Sequence, residues 1–529
     1  MTRKGTAGGD AGVGSLARMS PDAVSEPAVE SAADDAARSE QEQVRRQKLA
    51  RMQAEGNDPY AFGYPRTTDA TTLRARFADL EPDTFTGETA GVAGRVVLNR
   101  VSGKIIFATL RDAAGDLQVM LTLDASGQEL LDRWKNDVDL GDHVGVTGEV
   151  ITSKRGELSV LAAAFQVTSK CLHPLPEKHA GLTDPEARVR QRYVDLIVRQ
   201  EARDMVYLRS GVVRSLRETL QGNGYIEAET PMLQVMHGGA NARPFVTHIN
   251  AYDMPLYLRI APELYLKRLL VGGVDRVFEI NRNFRNEGAD STHNPEFTML
   301  EMYEAYGDYD TMRLLTQQLV QNAAIDVFGE AVARRIQPDG STEEFDLSGD
   351  WPVKTMIGAL SEALGEEVGL DTPVQVLRNY CERFEIEEPQ DASVGMLLEE
   401  LYVELVESKT TTPVFYKDFP KENAPLTRIH RDDPRLTEKW DLVGWGAEMG
   451  TGYSELIDPI DQRERFVAQA ARAERGDDEA MRLDEDFLRA LEHGMPPAGG
   501  QGMGIDRLVM TLTGLGVRDT ILFPLVKPE

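Results

Sequence analysis

Two stretches concentrate residues that bind opposite charges. Phe-Arg-Asn-Glu-Gly at 284–288 ends one β-like run on Arg285, and His-Asn-Pro-Glu-Phe-Thr-Met-Leu-Glu-Met-Tyr at 293–303 carries carboxylates along the next. An arginine leaving one strand beside acidic groups on its neighbour can clamp an anion at one end and a cation at the other, which suits a zwitterion. In an extended chain Glu301 and Tyr303 share a face, as do Phe297 and Met299. Burying so many ionisable groups near aromatics is costly unless a ligand matches them.

A second pattern is Glu448-Met-Gly-Thr-Gly-Tyr-Ser-Glu455, two carboxylates seven residues apart in a glycine-interrupted segment. That odd spacing puts them on opposite faces of a regular strand, so shared work needs a bulge at Gly450 or Gly452. Oxygen-only ligands suit Mg²⁺, which keeps waters and phosphate oxygens as its remaining ligands. A third is Gly502-Met-Gly504-Ile-Asp506-Arg507, whose glycines allow close backbone approach to a ligand and whose arginine opens an apolar helix. Neither a dinucleotide fingerprint in a βαβ unit nor a Walker loop is present.

Elements must position these groups. The 529 residues are long enough for several domains, and 41% apolar content can build proper cores. Residues 1–38 are poor in large apolar side chains, so a disordered tail is expected there. A helical extension is expected over 39–86, and its cluster Arg45, Arg46, Lys48 and Arg51 can touch RNA phosphates. From 87 to 175 five β-rich runs, with one amphipathic helix after the third, follow the order of an OB-fold barrel. Arg100, Phe107, Gln118 and Glu157 are its candidate base-reading residues, Phe107 for stacking and Gln118 and Glu157 for base edges. From 176 to 529 helices flank β-like segments that suggest an antiparallel sheet, with a helical insertion at about 331–407. The expected class is α+β.

The charge balance, 58 basic against 87 acidic residues, argues against a generally basic nucleic-acid coat, so a polyanion must meet local patches. The two cysteines, Cys171 and Cys381, build neither a disulfide framework nor a cysteine-rich zinc site. No run approaches the ~18 uninterrupted apolar residues of a membrane span. The expected location is cytoplasmic, with no membrane partner.

On these residues the chain resembles the class II aminoacyl-tRNA synthetases: GYIEAETPML at 224–233 is similar to their first motif, FRNEG through HNPEFTMLEMY to the second, and GMGIDR to the third. GGANARPF at 238–245, APELYLKRLLVGG at 261–273 and the barrel region resemble the lysyl-tRNA synthetases in particular. The resemblance implies an ATP-dependent ligase that joins L-lysine to tRNA(Lys) through a lysyl-adenylate, with Mg²⁺ as cofactor and a homodimer built on the first motif. It places lysine among Gly239, Glu263, Arg285, Glu301, Tyr303, Thr451, Tyr453 and Glu455. ATP would lie among Arg285, Glu287, His293, Asn294, Phe297, Glu448 and Arg507, with Arg285 and Arg507 catalytic. Glu448 and Glu455 would hold the metal, and Arg100, Phe107, Gln118 and Glu157 the anticodon.

Two positions depart from the family pattern: Thr451 stands where asparagine is common, and Asn99-Arg100 where two basic residues are usual. Stretches such as EKWDLVGWGAEMGTGYSEL resemble the synthetase half of actinobacterial lysylphosphatidylglycerol synthases, whose membrane part is not seen here; a free-standing paralogue is expected. The alternatives are transfer of lysine to a non-tRNA acceptor, supply of Lys-tRNA to a separate lipid transferase, and a catalytically silent RNA-binding protein.

Overall fold

The computed structural model describes residues 39–176, 182–288, 293–337, 339–388, 392–474 and 481–528. The expected tail at 1–38 lies outside them. Two compact units divide between Glu177 and Lys178.

In the first unit, Ser39 and Glu42 cap the helix Glu40–Ala54 reciprocally. Its cations do not wait for phosphate. Arg45 donates to the Cys171 carbonyl at 2.7 Å, Lys48 to Asp139 at 2.7 Å and Arg51 to Asp137 at 2.5 Å. Three of the four cations of the expected RNA-contact cluster, Arg45, Lys48 and Arg51, are thus engaged by the fold itself at the end of the neighbouring barrel.

That barrel is closed in the order β1 (Phe85–Ser102), β2 (Ile105–Asp112), β3 (Gly115–Thr122), β5 (Leu158–Ser169), β4 (His143–Thr152). Period-two alternation sends Ile106, Ala108, Leu110, Leu117, Val119 and Leu121 inward. The helix Leu123–Asp137 places Trp134 in this core, edge-on to Phe165 at 4.9 Å. The indole N–H of Trp134 donates to Asn99 Oδ1 at 3.1 Å, so this departure from the family's basic pair has a structural use. A Cβ on Gly148 would lie 1.9 Å from the Leu161 carbonyl, so only glycine lets β4 and β5 close here.

The second unit is built on an eight-stranded sheet. Its order is β14 (Val353–Thr355), β15 (Val414–Pro420), β16 (Leu436–Gly444), β17 (Ala447–Ser454), β18 (Ala498–Gly504), β11 (Glu296–Ala305), β10 (Arg276–Phe284), β6 (Ile226–Glu227). The six inner strands are antiparallel, and the outermost pair on each side is parallel. Helices Gln200–Gly222, Tyr309–Phe328 and Ile505–Thr513 share one core with the sheet, through Leu216, Leu319, Leu508, Leu300, Met302 and Trp440. Each such side chain contributes about 1.5–3 kcal/mol by leaving water. Because Leu300 and Met302 point into that core, the alternate residues Glu301 and Tyr303 must face the other side.

A small sheet, β7 (Leu233–Gln234), β9 (Met254–Leu258) and β8 (Val246–Ile249), lies apart from the large one. The stretch at 331–407, expected to be helical, opens instead with a hairpin, β12 (Val332–Ile336) and β13 (Thr342–Asp346). Arg334 pairs with Glu344 across that hairpin at 2.8 Å. Three helices follow, Met356–Leu364, Val374–Arg383 and Val394–Leu405, around Leu377, Leu397, Leu401 and Tyr402. Among the described residues no helix is long and apolar enough to cross a membrane.

Candidate active site

The open face of the large sheet carries a cavity of about 500 Å³. Thirteen of the residues singled out in the sequence line it together: Gly239, Glu263, Arg285, Glu287, His293, Asn294, Phe297, Glu301, Tyr303, Glu448, Thr451, Tyr453 and Arg507. β10 and β11 pair from Arg276↔Glu304 to Phe284↔Glu296, and Arg285 N–H then bonds the Pro295 carbonyl at 2.9 Å. The strand pairing thus delivers Arg285 to the cavity wall beside Phe297, with its guanidinium carbon 5.1 Å from the ring centre. Its Nε is buried without a partner. Burial pulls the Arg285 pKa down while Glu287, Glu301 and Glu448 hold it up. A desolvated guanidinium with an unmet donor is a built anion site.

Arg507 enters from the start of the helix Ile505–Thr513 and donates to the Glu448 carbonyl at 2.8 Å. Its neighbour Asp506 pairs with Arg209 at 2.6 Å and accepts from Thr298 N–H at 2.8 Å, locking that helix start to β11. Asn294 donates to the Glu296 carbonyl at 2.5 Å and accepts from Leu525 N–H at 3.3 Å, and Glu287 accepts from Arg243 N–H at 3.3 Å.

The two carboxylates expected to share a metal are separated. The β16–β17 register slips where Leu442↔Gly450 gives way to Val443↔Glu448, so Met449 is the extra residue of a bulge. The bulge restores a common face, but about 3.3 Å per residue leaves Glu448 and Glu455 roughly 20 Å apart along the chain. Glu455 lies instead 2.5 Å from Lys267, with neither side chain exposed. A single ion bridging Glu448 and Glu455 is thereby corrected.

Asp441 on β16, which the sequence reading missed, lines the cavity with Glu448. It is 4% exposed and pairs with Lys439 at 3.0 Å, while its Oδ1 has no hydrogen-bond partner. Burial pushes its carboxyl up to about 6, opposed by Lys439 and reinforced by Glu448. Glu407 close by is pushed up to about 7, first by burial and then by Glu448 and Asp441. This end of the cavity is short of positive charge. Asp441 and Glu448 fit a hard cation that takes only two protein ligands and keeps its waters. No larger cluster of three or more His, Cys, Asp or Glu able to hold a metal exists among the described residues. An aspartate between Trp440 and Leu442 in the strand sequence LTEKWDLVG was the only available signal.

The deep end is acidic too. Glu301 is 4% exposed and accepts from the Tyr303 hydroxyl at 3.1 Å. Its carboxyl is raised well above the usual range by burial and then by Glu263, against the Tyr303 bond and Arg285. Glu455 sits behind the cross-strand row Tyr303, Gly500, Tyr453: a Cβ on Gly500 would lie 2.0 Å from Glu455 Oε1 and 2.5 Å from the Tyr303 ring. Thr451 donates to the Trp440 carbonyl at 3.2 Å, so its hydroxyl is partly spent on the sheet.

The remaining candidates lie on the barrel. Arg100 pairs across to Phe107 and Phe107 to Met120, while Thr109 pairs with Gln118 and Gln118 with Ser159. Arg100, Phe107 and Gln118 therefore share the outward face. Gln118 donates to Ser159 Oγ at 2.8 Å, and exposed Glu157 is ion-paired with Arg74 at 3.2 Å.

His237 precedes Gly238 and Gly239 at the cavity edge; its ring is 4% exposed, 5.0 Å from Tyr257, and its Nδ1 lacks a partner. Burial, then Arg482, lowers its pKa from 6.5 to about 4. As pH falls the unfolded chain binds this proton first, so the stabilisation is whole above 6.5 and lost on the way to about 4. Urea denaturation across that window is expected to lose midpoint more steeply in the wild type than in His237→Gln; equal slopes would exclude the assignment.

Comparison with known families matches residues 184–527 to the class II tRNA synthetases (D, K and N) and residues 91–168 to the OB-fold nucleic acid binding domain. A lysine-tRNA ligase of Kineococcus radiotolerans is 57% identical over 492 residues, covering 93% of this chain and 97% of that protein. One from Mycolicibacterium gilvum is 56% identical over 491 residues, covering 92% and 97%. The lysylphosphatidylglycerol biosynthesis bifunctional protein LysX of Nocardia farcinica is 52% identical over 492 residues, 93% of this chain but 43% of that protein. A barrel of OB topology followed by a helix-flanked antiparallel sheet agrees with both matches, and the chain belongs to the class II tRNA synthetases, among the lysine-tRNA ligases.

Proposed function

We propose that the chain joins L-lysine to tRNA(Lys) with ATP, through a lysyl-adenylate formed in the cavity over the large sheet. The observation that carries this reading is the mixed charge of that cavity: Glu263, Glu301, Asp441 and Glu448 line it together with Arg285, Lys439 and Arg507, so one site offers partners to ammonium groups and to phosphates. Lysine enters with its ε-ammonium toward Glu301, Tyr303 and Glu455 and its α-ammonium toward Gly239 and Glu263. Thr451 and Tyr453 wall that pocket. ATP lies along Glu287, His293, Asn294 and Phe297, its adenine against the Phe297 ring.

Little acid-base chemistry is needed. The lysine carboxylate is ionised at neutral pH and attacks the α-phosphorus in line. A carboxylate O–P bond forms, the α–β bridging P–O bond breaks, and pyrophosphate leaves with the electron pair. Arg285 spans carboxylate and α-phosphate with its planar fork, and Arg507 meets the γ-phosphate side. Mg²⁺, when held by Asp441 and Glu448, supplies charge neutralisation to the phosphate oxygens. The terminal adenosine hydroxyl of the tRNA then attacks the activated carbonyl, forming the ester and releasing AMP. On the barrel, Phe107 stacks an anticodon base while Arg100, Gln118 and Glu157 contact its neighbours. Exposed Ile226, Met232, Leu233, Val235, Met236 and Val246 form the apolar surface that a second copy covers, giving a homodimer that works in the cytoplasm.

The direct test is ATP/pyrophosphate exchange across a panel of amino acids, followed by charging of matched tRNA. Lysine-dependent exchange is expected, and Arg285→Ala lowers it by about 10²–10³ without changing the melting profile; unchanged exchange would sink the reading. Asp441→Asn raises the Mg²⁺ concentration for half-maximal rate at least about tenfold, whereas Glu455→Gln raises the lysine KM and leaves the Mg²⁺ requirement alone. The opposite pattern would return the metal to Glu455. In sedimentation equilibrium the wild type is expected at the mass of two chains and Val235→Glu at that of one; a monomeric wild type would remove the dimer.

A further inference from the structure

The geometry points to Lys267 as the positioning residue that sets both the charge and the spacing of the amino-acid pocket, an inference that rests on the lysine reading above. Lys267 lies on the helix Glu263–Val271, one turn after Glu263, so both side chains fall on one face. Its Nζ donates to Glu263 Oε1 at 2.7 Å and approaches Glu455 Oε2 at 2.5 Å. Side-chain exposure is 0% for Lys267, 6% for Glu263 and 0% for Glu455. Of the three only Glu263 lines the cavity, with Lys267 and Glu455 packed behind it, so Lys267 acts by fixing its carboxylate partners.

A fully buried ammonium is normally driven to lose its proton. Burial works against the charge here too, but the Glu263 and Glu455 carboxylates outweigh it and raise the Lys267 pKa above its ordinary value. The dependence is mutual. Glu263 comes from a helix and Glu455 from the end of β17, and Lys267 joins them. It hydrogen-bonds Glu263 and ion-pairs with Glu455, whose two oxygens are both buried without a hydrogen-bond partner. The two carboxylates, Glu263 on the cavity wall and Glu455 behind it, are thus held at a fixed spacing before any ligand arrives, which lowers the ordering cost of binding.

The charge balance has the same origin. The deep end holds Glu263, Glu301 and Glu455 against Lys267 and Arg285. Lys267 offsets one of these carboxylates, so the pocket asks its ligand for less positive charge than its acidic walls alone would. Because the two carboxylates are tied at a fixed separation, the pocket also measures the chain between the ligand's ammonium groups.

The test is amino-acid-dependent ATP/pyrophosphate exchange with lysine and with ornithine, one methylene shorter, on wild type, Lys267→Met and Lys267→Arg. Lys267→Met is expected to raise the lysine KM about 100-fold, the usual effect of a roughly 1 Å misplacement, with kcat and the ATP KM within about threefold. The lysine-over-ornithine ratio of kcat/KM falls at least about tenfold, since it depends on one methylene. Lys267→Arg, which keeps the charge, recovers part of both. An unchanged lysine KM and ornithine ratio in Lys267→Met would overturn the role, as would equal damage to kcat and the ATP KM. If Lys267→Met does not fold, Lys267→Arg decides: raised lysine KM with weakened discrimination supports the role, and wild-type values overturn it. A wild type inactive with lysine sinks the functional reading and this one together, whereas an active wild type with indifferent variants sinks only this one.

Discussion

Charge buried without water must be matched, and this requirement organises the second unit. Glu263, Glu301, Asp441 and Glu455 are each no more than 5% exposed, yet the protein supplies them only Lys267, Lys439 and the edge of Arg285. Isolated ions in such surroundings shift their pKa and neutralise. The raised carboxyls of Glu301, Asp441 and Glu455 are that tendency, with burial as its first cause. A folded state that tolerates this imbalance does so around a cavity where ligands bring the missing charges, and the hydrophobic core on the far face stabilises the sheet that holds it.

Rigidity of that sheet turns the imbalance into selectivity. Six antiparallel inner strands set the cross-strand neighbours, and glycine at Gly500 makes room for Glu455 and Tyr303 in a space where any side chain would collide. The bulge at Met449 turns Glu448 onto the face shared by Thr451 and Tyr453. Helix starts do the rest: Glu263 opens one helix and Arg507 begins another, each aimed at the cavity by its first turn. Loop residues carry fewer of the charged groups than strand and helix ends do, which keeps the separations short-ranged and stiff.

The barrel follows a different logic. Its core is apolar and closed, and the residues proposed to contact the anticodon are ordinary outward residues in register, Arg100 beside Phe107 and Gln118 beside Ser159. Cations that looked free in the helix Glu40–Ala54 are consumed by Asp137, Asp139 and a backbone carbonyl. In a chain with 87 acidic residues, surface arginine and lysine are scarce enough that carboxylates of the same fold claim them first.

Much of this was legible in the residues themselves. The five-strand order of the barrel, the arginine at the end of β10, and the shared face of Glu301 and Tyr303 follow from local periodicity, because side-chain direction in a strand repeats every second residue. The three motifs are likewise short runs whose chemistry lies within each run. Partnership across the fold was not legible. That Glu455 answers to Lys267 rather than to Glu448, that Asp441 joins Glu448, and that Asn99 serves Trp134 depend on register, a bulge and helix placement. Those are settled by which faces must leave water together, a constraint on the whole sheet and its helices. Residue types and local spacing therefore determined what the chain can bind, and tertiary packing decided which charges meet.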